Sequence, residues 1–315
     1  MRKFIAATFA VAFAACAALA QSQQAPTLRI VSEDGNRLPA ELTYGNTKVK
    51  PLRLRPGTNT PITIDDSDFF VQQQYVDFLS RFPDQSGFAF WQNDINQCGA
   101  NAGCVETKRI NVSAAFFLSI EFKETGLLVH KTYKVAFGDL PGKPVPVRRD
   151  SFMADTRSIG NGVIVNAQGW EQLLEANKNA FELAFVQRGD FQSAFPSSMS
   201  ADQFVNKLFS NAGVTPPAGE RQAAVNAFGS GNAAGRAAAL RSVAESQSVH
   251  QSEFNRAFVL MQYFGYLKRD PDALPDTNFS GYSFWLDKLN QFGGDFQGAE
   301  MVKAFISSSE YRTRF

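Results

Sequence analysis

The chain has 315 residues, of which 44% are hydrophobic and 13% aromatic, and its 31 lysine and arginine residues nearly balance 30 aspartate and glutamate residues. This length suits one large domain or two to three small ones, and the aromatic content is too high for a chain that is disordered throughout. A formal net charge of +1 gives no basic footprint for nucleic acid and no acidic tail, so we expect no nucleic-acid partner.

The first 20 residues have the pattern of a secretory signal peptide. Arg2 and Lys3 precede an uncharged run rich in alanine and phenylalanine, which ends in Ala18-Leu19-Ala20. A membrane anchor is one alternative, but the run is short; a lipidated Cys16 is another, but phenylalanine stands where a lipobox usually has leucine. We therefore expect cleavage after Ala20, an exported protein (periplasmic, cell-surface or extracellular) and no transmembrane segment in the mature chain.

Residues 21–64 are predicted to form an extended or weakly ordered lead-in with a short strand or two. Apolar and polar residues alternate in stretches such as Thr27-Leu28-Arg29-Ile30-Val31, and proline and glycine interrupt the pattern. The segment has too few apolar residues for a core of its own. Helices are expected to begin at Asp65-Asp66-Ser67-Asp68, whose side chains can accept hydrogen bonds from the first free backbone N–H groups.

An internal repeat organises the rest of the chain. Gln74–Asp84 returns as Gln262–Asp272, and the hexapeptide ending in Trp91 returns, after an insertion, as the hexapeptide ending in Trp285. A third block, Ala115–Phe122, reappears as Ala304–Tyr311 and more loosely near residues 184–191. Each copy predicts a helix, a Pro-Asp turn, a second helix opened by Ser-Gly and a third helix. Such helices bury their apolar stripes against one another.

The predicted fold class is therefore all-α, with tandem three-helix modules after the signal peptide and the lead-in. The first module spans 65–138, a connector rich in proline and glycine spans 139–170, a degenerate middle module spans 171–250 and the C-terminal module spans 251–315. Pro141, Pro144 and Pro146 oppose a regular helix in the connector. The middle module lacks both the Arg-x-Pro-Asp turn and a tryptophan.

Two cysteines remain after removal of the signal peptide, Cys98 and Cys104, and they flank a glycine-containing loop. In an oxidising compartment a local disulfide is the simplest outcome. Zinc is the alternative, but it would need further ligands, and His130 and His250 lie far apart in sequence. The inserted Asp272–Asn278 stretch lacks the carboxylate spacing of a calcium loop. We expect a disulfide, no metal and no cofactor.

These features resemble a domain-of-unknown-function 4214 (DUF4214) protein. The resemblance rests on the Arg81-Phe82-Pro83-Asp84 turn, the Ser86–Trp91 segment, the cysteine pair and the Ala115–Phe122 helix, and it covers about residues 65–315. It implies an all-helical fold and an exported bacterial protein. It implies no activity, ligand or catalytic residue.

Eight recurring residues are expected to form a structural motif, although a repeated ligand-binding pair is the alternative. Arginine suits the negative pole of a helix C-terminus, proline prevents the helix from continuing, and aspartate folds the turn by accepting a backbone N–H. The eight are Arg81, Pro83, Asp84, Gly87, Arg269, Pro271, Asp272 and Gly281.

Three tryptophans are the candidate ligand contacts. Trp91 and Trp285 recur in the two copies with aromatic neighbours and could form a platform for stacking sugars. A repeated aromatic residue on a helix is more often a core anchor, and that interpretation is favoured here. Trp170 stands outside the repeat and is the one to examine for exposure.

No catalytic residue can be assigned from the sequence. It contains no Gly-x-Ser-x-Gly elbow, Walker loop or His-Glu-x-x-His motif. Glu121, Asp190 and Glu310 recur at one position, which favours an interhelical hydrogen bond or ion pair. His130 lies in an apolar helix and is expected to be packed. Arg188-Gly189-Asp190 spells an integrin-binding tripeptide, which we interpret as chance.

Repeated packing residues without a single reactive cluster predict an exported, non-enzymatic module that binds an envelope protein or polysaccharide. The alternative is an envelope carbohydrate-active hydrolase or lyase, with its acid and base drawn from Glu171, Glu175 or Glu245. A purely structural spacer is a third interpretation.

Overall fold

The structure, a computed structural model, describes residues 28–32, 39–44, 47–49 and 53–315. The predicted signal peptide, its cleavage after Ala20 and the alternative at Cys16 lie outside the described residues. Within the lead-in, the backbone forms three strands: β1 Leu28–Ser32, β2 Pro39–Tyr44 and β3 Thr47–Val49. They make an antiparallel sheet in the order β1-β2-β3, in which Leu42 pairs with Ile30 on one side and Val49 on the other.

Every named element after residue 65 is a helix, which confirms the all-α prediction for this part of the chain. The helices are α1 Ser67–Leu79, α2 Gln85–Asn96, α3 Ala102–Leu118, α4 Ile120–Glu124, α5 Gly126–Phe137, α6 Arg149–Gly160, α7 Trp170–Phe185, α8 Gly189–Ala194, α9 Ala201–Ala212, α10 Ala218–Phe228, α11 Ala233–Ala244, α12 Gln247–Gln262, α13 Ser280–Gln291, α14 Met301–Ser307 and α15 Ser309–Arg312. A π-helical turn, Tyr263–Leu267, extends α12.

The aspartate cluster before α1 acts differently from the sequence expectation. Asp66 is the N-cap residue, but its carboxylate accepts from the backbone N–H of Thr63 at 2.7 Å and makes no cap to the helix. Asp68 accepts from the N–H of Phe69 at 2.8 Å. Of the three carboxylates in the cluster, one therefore bonds to the first turn, one folds the preceding loop and the third binds arginines of α3 and α15.

The predicted third helix of each repeat is broken in the structure. Ser119 separates α3 from α4 and accepts from the N–H of Phe122 at 3.0 Å, and Ser308 does the same between α14 and α15 with Tyr311 at 3.1 Å. The serine side chain starts a new helix because it satisfies a backbone N–H that the preceding turn leaves free.

The connector, expected to lack a regular helix, contains α6. The prolines stop at Pro146, so they leave the chain free to become helical from Arg149. Asp270, from the far end of the chain, accepts from the N–H of Arg149 at 3.0 Å and so caps α6 from outside. The buried side chains Phe152 and Ile159 hold one face of α6 in the core.

Helix α5 is the central element, since it packs against α4, α6, α9, α11 and α12. Its sequence is apolar on nearly every side, which is typical of a helix surrounded by others. Leu127, Leu128, Val129, Val135 and Ala136 are all at most 1% exposed.

A buried carboxylate joins α1 to the end of the chain. Asp77 is fully buried and binds Arg314 at 2.9 Å and Lys268 at 3.0 Å. Burial by itself would raise the pKa of Asp77, but the two cations outweigh it and the pKa is lowered.

The two sequence repeats make matching contacts. Arg81 donates from Nε to Glu121 at 2.7 Å, and Arg269 donates to Glu310 at 2.6 Å. The helix before each arginine ends in a left-handed residue, Ser80 with φ 53° or Lys268 with φ 57°. The structure thus shows ion pairs at Glu121 and Glu310, the role that their recurrence suggested.

Asp190 departs from this pattern. It accepts from the adjacent N–H of Phe191 at 2.8 Å instead of pairing with an arginine. The neighbouring Arg188 pairs with Asp155 at 2.6 Å. In the Arg-Gly-Asp tripeptide, Gly189 and Asp190 are therefore the first residues of α8, and the side chain of Arg188 is bound to α6.

Candidate functional site

Helix α5 carries four buried polar side chains, and three of them have partners. Burying a polar group without a partner costs free energy, so an exception on this helix is informative. The partnered side chains are His130 with Glu253 at 2.9 Å, Thr132 with Glu182 at 2.7 Å and Lys134 with Asp139 at 2.8 Å. Among the described residues, the ammonium of Lys131 makes no hydrogen bond or ion pair.

Two cavities adjoin these polar residues. The first, which we call the Glu182 cavity, lies between α7 and α11 and has a volume of about 230 Å³. Three alanines of α11 form one wall because their small side chains leave space opposite α7. The lining residues are Asn179, Glu182, Leu183, Ala234, Ala237, Ala238 and Arg241.

Glu182 is the most unusual acid in this cavity. The side chain is 1% exposed; one carboxyl oxygen accepts from Thr132, and the other has no partner. Burial raises the pKa of Glu182 to about 8, and the hydrogen bond from Thr132 only partly opposes this effect. The carboxyl therefore keeps its proton at neutral pH and can donate a hydrogen bond.

The second cavity, which we call the Lys131 cavity, has a volume of about 250 Å³ and lies where α4 and α5 meet the start of α12. Lys131 is 6% exposed, and desolvation lowers the pKa of its ammonium. His250 is half-buried, and its pKa is lowered by desolvation and by the charges of Lys131 and Lys123. The lining residues are Lys123, Glu124, Leu128, Lys131, Glu245, Gln247 and His250.

An ionic network separates the two cavities. Arg241 binds Glu175 at 2.6 Å and Glu245 at 3.1 Å, while Lys178 binds Glu245 at 3.2 Å and also pairs with Glu124. The hydrogen bond from Arg241 lowers the pKa of Glu175. Glu175 is therefore held in its charged form and is a poor proton donor.

The acids named for a hydrolase therefore occupy different environments. Glu171 is exposed in the first turn of α7, and Glu175 and Glu245 belong to the network. The acid with a raised pKa in a cavity is Glu182, which sequence reasoning missed. Its signal was present, since a glutamate between Phe181 and Leu183 falls on the buried face of α7, but its partner Thr132 is 50 residues away.

The three candidate tryptophans are not brought together. Each is half-buried and packs against the core, and no ring contact among residues 53–315 joins two of them. Trp91 lies 6.1 Å from Phe116, and Trp285 lies 5.7 Å from Phe305, measured between ring centroids. This is a matching anchor position in the two repeats, and Trp170 opens α7.

Among residues 53–315, the two most exposed phenylalanines are the neighbours of the repeated tryptophans. Phe90 is 63% exposed and meets Trp91 edge to face at 4.8 Å, with 76° between the rings. Phe284 is 58% exposed and meets Trp285 at 5.1 Å and 75°. We call these two pairs the aromatic corners. Sequence reasoning named the tryptophans, whereas the phenylalanines carry the larger exposed surface.

The two aspartates of the repeated turn, Asp84 and Asp272, make different contacts in the structure. Asp84 accepts from the N–H of Gly87 at 2.8 Å and caps α2, as expected of a turn residue. Asp272 instead binds Lys143 at 2.5 Å and also pairs with Arg148. The insertion moves Asp272 away from the following helix, so it binds the connector.

In the second copy other residues take over the turn. Asp276 binds Arg269 at 2.8 Å, and Asn278 accepts from the N–H of Ser280 at 2.8 Å. The sequence alignment of Asp84 with Asp272 therefore does not correspond to a shared cap.

Cys98 and Cys104 lie at disulfide distance, with their Cα atoms 5.5 Å apart. The pair links the end of α2 to the first turn of α3, where Asn101 caps the helix by accepting from the N–H of Cys104 at 3.0 Å. The predicted local disulfide is confirmed in the structure.

Compared with known proteins, the chain matches no family profile, no curated protein and no solved structure. The resemblance to DUF4214 proteins therefore stays a prediction. Within the described part of the chain, no group of three or more histidine, cysteine, aspartate or glutamate side chains is arranged to hold a metal ion. No helix there is long and apolar enough to cross a membrane.

Proposed function

We propose that the protein is an exported, non-enzymatic binding module and that its ligand is an envelope polysaccharide. The observation that supports this proposal is the pair of aromatic corners, which place an exposed phenyl ring beside a fixed indole at equivalent positions of α2 and α13. An exposed ring face stacks on the apolar face of a sugar, and the tryptophan beneath it fixes the geometry.

Duplication of the corner favours a polymer over a protein partner. A polysaccharide presents the same unit many times, so two identical weak contacts on one chain can engage it together. Linked contacts of this kind raise the overall affinity above that of either alone. A folded protein partner would need two matching epitopes at the right spacing to gain the same advantage.

The expected contribution of each corner follows from its exposed area. Burying an exposed phenylalanine side chain contributes about 1.5–3 kcal/mol, which corresponds to roughly a tenfold to a hundredfold change in affinity. Phe90→Ala and Phe284→Ala should each weaken binding by at most that factor. The double variant should lose most of the binding to the polysaccharide.

The test mixes the purified protein with the envelope polysaccharide of the producing cell and follows the mixture by size-exclusion chromatography with light scattering. We expect co-elution without loss of polymer mass, and loss of co-elution in the double variant. Phe292→Ala is the matched control, because Phe292 is 47% exposed but is not part of a corner. Equal co-elution of the wild type and the double variant would contradict the proposal.

A second candidate function rests on Glu182. A carboxyl that keeps its proton at neutral pH, in a cavity with Asn179 and Arg241, has the character of a general acid. A hydrolase or lyase of this kind would need a second carboxylate, and the nearest on the same helix is Glu175, which Arg241 holds.

The same chromatography separates the two functions. Progressive shortening of the polymer, with release of reducing ends that Glu182→Gln abolishes, would favour the enzyme. Constant polymer mass in the presence of bound protein favours the binding module. Independent elution with unchanged polymer would leave the spacer interpretation.

A further inference from the structure

Lys131 is an exception on the central helix. The other three buried polar side chains of α5 reach partners on α12, on α7 and in the loop after α5, whereas the ammonium of Lys131 ends in the Lys131 cavity with no hydrogen bond or ion pair among the described residues. Only 6% of this residue is exposed. Keeping a lysine in such a place is costly unless an anion compensates the charge.

The start of α12 adds a second positive contribution to the same cavity. Ser246 is the N-cap residue, but its hydroxyl donates to the carbonyl of Val243 at 2.7 Å and does not cap the helix. Gln247, the first residue of this 16-residue helix, lines the cavity. The free N–H groups and the dipole of a helix N-terminus favour an anion. One N–H is already used, since Ser248 donates to Glu220 at 3.3 Å.

The carboxylates of the cavity compensate this charge only in part. Glu245 and Glu124 line the cavity and attract the ammonium of Lys131 at a distance, but desolvation outweighs them, and their hydrogen bonds go to Lys178 from α7. Lys123 is exposed at the edge of the cavity and adds a further cation. The oxygens of Glu124 and Glu245 that Lys178 does not use remain able to accept hydrogen bonds from hydroxyl groups.

We infer that the Lys131 cavity binds one acidic sugar residue, with its carboxylate between Lys131 and the N-terminus of α12 and its hydroxyls against Glu124 and Glu245. The volume of about 250 Å³ accommodates a single sugar residue. The choice of a sugar as the carrier of the carboxylate rests on the proposed function. The cavity is distinct from the aromatic corners, so the two proposals can fail separately.

The test uses the two histidines as reporters, because the chain has only two. His250 lines the cavity, while His130 is 1% exposed and bound to Glu253, so it serves as an internal control. D-glucuronate is titrated into the purified protein while the ring proton signals of both histidines are followed by NMR, with His250→Gln to assign them. D-glucose, the match without a carboxylate, and acetate, the carboxylate without a sugar, are titrated in parallel.

We expect glucuronate to shift the His250 signals saturably and to leave those of His130 unchanged. Lys131→Met, which keeps the approximate length of the side chain and removes the charge, should weaken the binding of glucuronate at least tenfold. Lys303→Met on α14 is the matched control and should bind normally. Thermal unfolding of Lys131→Met should show a fold at least as stable as the wild type, because the substitution removes a desolvated charge.

Three results would overturn the inference. If glucose binds with the same affinity as glucuronate, the carboxylate has no role in binding; if acetate does so, the sugar has none. If the folded Lys131→Met variant binds glucuronate with unchanged affinity, Lys131 has no role. Co-elution with polysaccharide depends on the corners and is scored independently, so it can succeed where this titration fails.

Discussion

Glu182 should make the stability of the fold depend on pH. Burial raises the pKa of Glu182 in the folded protein from 4.5 to about 8. Between these pH values the folded state holds one more proton than the unfolded chain, so the free energy of unfolding falls by about 1.4 kcal/mol for each pH unit gained. The contribution is present in full below pH 4.5 and is lost as the pH rises through 8, on the order of 5 kcal/mol in total.

The perturbation that isolates this effect is Glu182→Gln. The amide oxygen can still accept from Thr132, as the carboxyl oxygen does at 2.7 Å, but the side chain cannot ionise. The wild type and the variant should be similarly stable near pH 5. By pH 8 the variant should be the more stable protein by roughly 3–5 kcal/mol.

The assay is urea unfolding followed by tryptophan fluorescence at pH 5, 6, 7 and 8. Glu175→Gln is the matched control on the same helix: the hydrogen bond from Arg241 lowers the pKa of Glu175, so its contribution is lost only as the pH falls below about 4.5. If the stability curves of the wild type and Glu182→Gln run parallel from pH 5 to 8, the reasoning is wrong.

Three further changes test the fold itself. Gly87→Ala should destabilise the fold by about 2 kcal/mol in thermal unfolding, because a Cβ there would collide with the hydroxyl of Tyr75, whereas Gly103→Ala has room and should be neutral or slightly stabilising. Glu121→Gln should cost about 2–3 kcal/mol in urea unfolding because it leaves Arg81 with only the longer 3.6 Å contact to Asp84; Glu310→Gln should cost less, since Asp276 still binds Arg269 at 2.8 Å, and equal losses would contradict this explanation. Replacing Cys98 and Cys104 by serine should lower stability by about 2–3 kcal/mol and leave polysaccharide co-elution unchanged, and free thiols in protein from its native compartment would contradict the disulfide.

Local signals predicted the helices well where they depend on neighbouring residues. The helix expected to begin at Asp65-Asp66-Ser67-Asp68 is α1, which starts at Ser67, and the helix expected to be opened by Ser-Gly in the second copy is α13, which starts at Ser280. The connector was mispredicted for a tertiary reason. Its helix α6 is held at its N-terminus by Asp270, a residue 121 positions away that no local pattern relates to it.

The repeat predicted packing better than it predicted surfaces. Matching arginines and glutamates do form matching ion pairs. The insertion in the second copy, however, sends Asp272 to the connector and brings Asp276 to Arg269, because a change in loop length moves every later side chain. The sequence also does not show which of two adjacent aromatic residues is exposed: Phe90 lies on the surface, whereas Trp91 is half-buried.

By itself, the sequence determined the helical class and the local disulfide, since each depends on spacing along a short stretch of chain. Only the tertiary structure decided which polar groups on α5 obtain a partner. His130 finds Glu253 across 123 residues, Thr132 finds Glu182 across 50, and Lys131 finds none among the described residues. The cost of burying a charge is set by what surrounds it in space, so the candidate sites at Glu182 and Lys131 become visible only when the helices are packed together.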